Sequence, residues 1–121
     1  MQDLSDFLSP INVSALSEDS GYTDGQLGKH ISIYENSIPD LTDVDIVIVG
    51  INEMRGNGLG ISEIHSADVV RKHLYQLHYW HTSVAIADLG NIKSGASIID
   101  SYAALKTVVA EIIRLGKRAL I

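Results

Sequence analysis

The 121-residue sequence predicts an α/β fold: a partial doubly wound, mostly parallel sheet with helices packed on it, equivalent to the N-terminal half of a three-layer α/β/α architecture. Residues 45–52, DIVIVGIN, form a continuous β-branched run of the kind found in a strand covered on both faces. A second such run, SVAIADLGN, occupies residues 83–91. Helical spacing separates the two runs and recurs after the second. The order strand, helix, strand, helix, strand start therefore implies right-handed crossovers and parallel pairing.

Residues 1–43 read as a polar N-terminal segment, rich in turn formers such as SEDSGYTDGQLGKH, with one short edge strand near 31–34. So polar a segment is poor material for covering a bare sheet face. The α/β segment proper spans 44–121. Its first strand ends in a glycine-rich loop, EMRGNGLGIS, and a helix is expected over residues 62–80, with Val70, Leu74 and Leu77 as its buried stripe. The second strand is expected to end at Asp88 in a tight turn with Gly90 and Asn91, a structural turn. The last helix carries Ile98, Tyr102, Leu105, Val109 and Ile112 on one stripe, with Ser97 as N-cap, Arg114 in the last turn and Gly116 just past the end. The closing GKRALI reads as the start of a buried strand with no charge to shield its edge. Its partner is expected to be the remainder of a longer parent chain or a second subunit.

Composition excludes several classes. A formal net charge of −6, with no Lys/Arg cluster, argues against nucleic acid as a partner, because nothing would replace phosphate counterions. The absence of cysteine removes disulfides, thiolate zinc sites and cysteine nucleophiles. MQDLSDFL carries acids where a signal peptide needs a basic region, and no apolar run approaches the ~20 residues that span a bilayer, so a cytoplasmic, non-membrane protein is expected.

Spacing alone yields no catalytic constellation. Gly56, Gly58 and Gly60 fall in a G-x-G-x-G pattern, with Ile61 where a dinucleotide fingerprint needs its third glycine, and no Walker lysine follows. A flexible loop or one side of a substrate pocket is the better account of this stretch. Asp88 stands where acids of open α/β sheets often act, yet the same position suits an Asp that hydrogen-bonds the turn after it. His73, His78 and His81 lie in HLYQLHYWH without a carboxylate, which fits aromatic packing better than a metal site. Asp100 and Glu111 fit a solvated helix face, and no G-x-S-x-G elbow is present.

The ordered set VGINEMRGNGLG, ADVVRKHLYQL, ADLGNIKSG, helix and KRALI resembles the N-terminal part of the ureohydrolase superfamily: arginase, agmatinase and formimidoylglutamase. Arg55, Asn57, Gly58 and Gly60 answer that family's RNGGR-GA loop. Val69, Val70 and Arg71 answer its helix-opening P-x-A-I-R, and Asp88, Leu89, Gly90 and Asn91 answer DLGD. Leu59, Ala67 and Asn91 depart from the family pattern at a basic, a proline and an acidic position. The resemblance covers about residues 44–121 and implies a parent hydrolase of guanidino or formimino C–N bonds that uses two manganese ions. The family's ligand segments, GG-x-H, DAHxD and DxD, would lie after Ile121. The resemblance thus implies a non-catalytic segment with no metal ligand or cofactor of its own, in which Glu53, Arg55, Asn57 and Gly58 are substrate-loop candidates forming one wall of the parent's pocket. The other expectation left open is a self-contained small α/β module that binds an anionic ligand or a partner subunit.

Overall fold

A computed structural model describes residues 4–16, 21–52 and 66–121. Among these, five strands and three helices form a mixed α/β fold: β1 (Leu8–Ser9), α1 (Val13–Leu16), β2 (Ser32–Ile33), β3 (Ile46–Gly50), α2 (Ser66–Leu74), β4 (Ile86–Ile92), α3 (Ile98–Arg114) and β5 (Arg118–Leu120). The strand order is β1-β4-β3-β5, with β2 also paired to β4. β3 runs parallel to β4 on one side and to β5 on the other, and β2 is parallel to β4. β1 is antiparallel to β4, so the sheet is mixed.

β3 is the central strand because its sequence gives it no polar face. Val47, Ile48, Val49 and Gly50 are all buried, and alternate residues enter two separate cores. Val47 and Val49 join Ala87, Leu89, Val108 and Ile112 on the side of α3. Ile48 joins Tyr75 and the N-terminal residues Ile11, Leu16 and Ile31 on the side of α2. The strand starts are tied together where the Ala85 amide donates to Asp45 Oδ2 at 2.8 Å.

The described residues among the first forty cover the sheet after all. Leu4, Leu8, Ile11, Leu16 and Ile31 are buried in the two cores, and β1 and β2 extend the sheet along β4. The expectation of a segment unable to cover a face is thereby corrected: widely spaced single apolar residues, without periodicity, are enough when each lands in a core. The edge strand expected near 31–34 is present as β2.

α2 also departs from expectation. Its described part ends at Leu74, and residues 62–65 of the expected helix lie outside the described residues. Val70 is 64% exposed and Leu77 57% exposed, while Arg71 and Tyr75 are buried. The helix and the residue after it thus turn an Arg/Tyr pair, spaced i, i+4, toward the sheet, and of the expected stripe Leu74 packs against that core. In α3 the expected stripe holds at Ile112, which is buried, and at Leu105, which packs on the same core; Ser101 and Val108 are buried beside them, and Tyr102 is 51% exposed. The caps of α3 stand as read. Ser97 and Asp100 form a reciprocal capping box, and Gly116 takes φ +79° just past the helix end.

Candidate functional site

The C-terminal ends of β3 and β5 and the start of α2 enclose a cleft of about 380 Å³. Ile48, Gly50, Ile51, Val70, Leu74 and Leu120 line it, with Arg71 behind. In open α/β sheets this end of the strands, where connections from a central strand diverge to either side, is the usual place for a ligand. The cleft's position follows from Gly50. A Cβ there would run into Asn91 Oδ1 and come within 2.8 Å of Ala67 Cβ and 2.9 Å of Arg71 Nη1. Only glycine lets the helix start and the neighbouring strand approach so closely.

Asn52, just after β3, closes the connection to α2 by accepting from the Ala67 amide at 2.9 Å and from Ser66 Oγ at 3.3 Å. Residues fourteen and fifteen positions apart are joined at the mouth of the cleft, and one donor of the helix start is satisfied by a side chain from the preceding strand end.

Behind the cleft lies a buried polar network. Arg71, 2% exposed, donates Nε to Asp88 Oδ2 at 2.8 Å and Nη2 to Asp88 Oδ1 at 2.9 Å, a two-pronged pair with a carboxylate that is fully buried. Nη2 also donates to the Gly90 carbonyl at 2.8 Å; Nη1 donates to Asp68 at 3.1 Å and to Asn91 Oδ1 at 2.5 Å. A guanidinium has five N–H groups, and these five acceptors use them all. Asp88 further accepts from the Tyr75 hydroxyl at 2.5 Å and from the Gly90 amide at 3.0 Å. Every member is therefore satisfied, the condition under which a buried charge pair is tolerated.

The environment sets the protonation states. Burial pulls the Arg71 pKa down, but the hydrogen bond and charge of Asp88 outweigh it, and the guanidinium is held more firmly protonated than usual. Burial, and then the charge and hydrogen bond of Asp88, push the Tyr75 phenol far above its ordinary value, so it stays a neutral donor.

Asp88, Gly90 and Asn91 thus meet at one place, together with Arg71. The strand does not end at Asp88, however: β4 continues through Ile92, and the expected turn is an irregularity within it. Its register against β3 shifts between Ile48 and Gly50. Gly90 takes φ +82°, and a Cβ there would strike the Ser9 carbonyl of β1. The antiparallel β1 prolongs the strand past the bulge, and nothing local to ADLGN signals a partner so far upstream. The substrate-loop candidates Glu53, Arg55, Asn57 and Gly58, and the loop residues Gly56, Leu59, Gly60 and Ile61, lie outside the described residues.

Residue spacing alone missed Tyr75 and Asn52. The signal for Tyr75 was its i, i+4 relation to Arg71; an apolar-stripe search discards an arginine and so loses the pair. Of the histidines, His78 lies in a bridge with Gln26, and the ring of His81 packs on Trp80 with centroids 3.5 Å apart. Among the described residues no group of three or more His, Asp or Glu side chains could hold a metal ion, and no helix is long and apolar enough to cross a membrane. No family model, curated protein or solved structure matches this chain.

Proposed function

We propose that residues 44–121 are the first half of a doubly wound, three-layer α/β domain of the ureohydrolase kind. In this reading they form a non-catalytic segment of a parent that hydrolyses guanidino or formimino C–N bonds. One observation carries the proposal: the separate stretches that bear the resemblance converge. Gly50 of VGIN, Arg71 of ADVVRKH, and Asp88, Gly90 and Asn91 of ADLGN come from two strands and a helix, and they meet behind one cleft. The order β4-β3-β5, with a central first strand, parallel neighbours on both sides and helices that contribute to two different cores, supports the doubly wound layout.

The segment's own contribution is positional. Arg71 and Asp88 fix the start of α2 against the bulge of β4, and Asn52 fixes the exit of β3, so the cleft wall is held before any ligand arrives. The two manganese ions of the parent would supply a metal-bound nucleophile. The described residues do not fit such a pair. The alternative of a module for anionic ligands draws no support from an arginine whose donors are all in use.

The test has two arms. Incubated with manganese and arginine, agmatine or formimidoylglutamate, this chain should release neither urea nor formamide. The coding frame past residue 121 should continue into segments of the GG-x-H and DAHxD type. Turnover by the chain alone, or a frame that lacks those segments, overturns the proposal.

A further inference from the structure

We draw no further inference here: the strongest candidate, the apolar surface that runs from the cleft between α2, β3 and β5 onto the exposed Val70, Leu120 and Ile121, has nothing in the structure to show what covers it.

Discussion

The two long helices are held to the same sheet by different physics. α3, with seventeen residues, begins in a capping box and buries Val108 and Ile112 among Val47, Val49, Ala87 and Leu89. Each such aliphatic side chain, fully buried, contributes about 1.5–3 kcal/mol. α2, with nine described residues, buries Arg71 and leaves Val69 and Val70 more than half exposed. Its hold on β4 is the Arg71–Asp88–Tyr75 network. An aliphatic contact degrades gradually when trimmed, whereas a saturated charge network fails when any one member is lost, because the rest are left buried and unpaired. The α2 side, which faces the cleft, is therefore the more sharply specified of the two and the less tolerant of substitution.

The largest expected effect comes from removing the carboxylate. Asp88→Ala strands a guanidinium that is 2% exposed, and should cost about 3–5 kcal/mol in urea denaturation. A domain with ~5–15 kcal/mol in total would lose a large share of its stability. A loss under about 1 kcal/mol would mean that water reaches the site and that the comparison between the helices is wrong.

Tyr75→Phe sharpens the same point through pH. Phenol that resists ionisation in the folded chain but ionises near its ordinary value when unfolded gives the unfolded state fewer bound protons above about pH 10, so stability falls as pH rises there. Below that pH both states hold the proton and stability does not change with pH through this group. The native chain should lose stability more steeply than Tyr75→Phe above pH 10, by up to about 1.4 kcal/mol per pH unit. At neutral pH the variant should already be weaker by about 1–3 kcal/mol, because Asp88 Oδ2 loses a donor. Parallel slopes for the two proteins would contradict the assignment.

The smallest effect belongs to the stripe on the outer side of α2. Val70→Ser, at a position 64% exposed, should change the urea midpoint by no more than about 0.5 kcal/mol equivalent. A loss of several kcal/mol would show that Val70 is covered in solution.

What was legible in the sequence tracks this division. The β-branched runs located β3 and β4, and Ser97, Asp100 and Gly116 located the ends of α3, because burial and capping act over a few neighbouring residues. The rotated face of α2 was not legible. Periodicity weighs aliphatic residues, and Val70, Leu74 and Leu77 satisfy it better than Arg71 and Tyr75, whose burial depends on a carboxylate on a strand beyond the helix. The resemblance placed Arg71 and Asp88 in one ordered set, yet nothing in their spacing disclosed that they touch. The continuation of β4 past Gly90 was hidden for the same reason: its partner, β1, lies some eighty residues upstream.

The most direct measurement is a double-mutant cycle on Arg71→Met and Asp88→Leu, read by urea denaturation. Each single change leaves one buried charge without its partner and should cost about 3–5 kcal/mol, whereas the double change removes both charges and should recover much of that loss. Losses that simply add, with a coupling inside about 0.5 kcal/mol, would contradict the claim that this pair is what fastens α2 to β4.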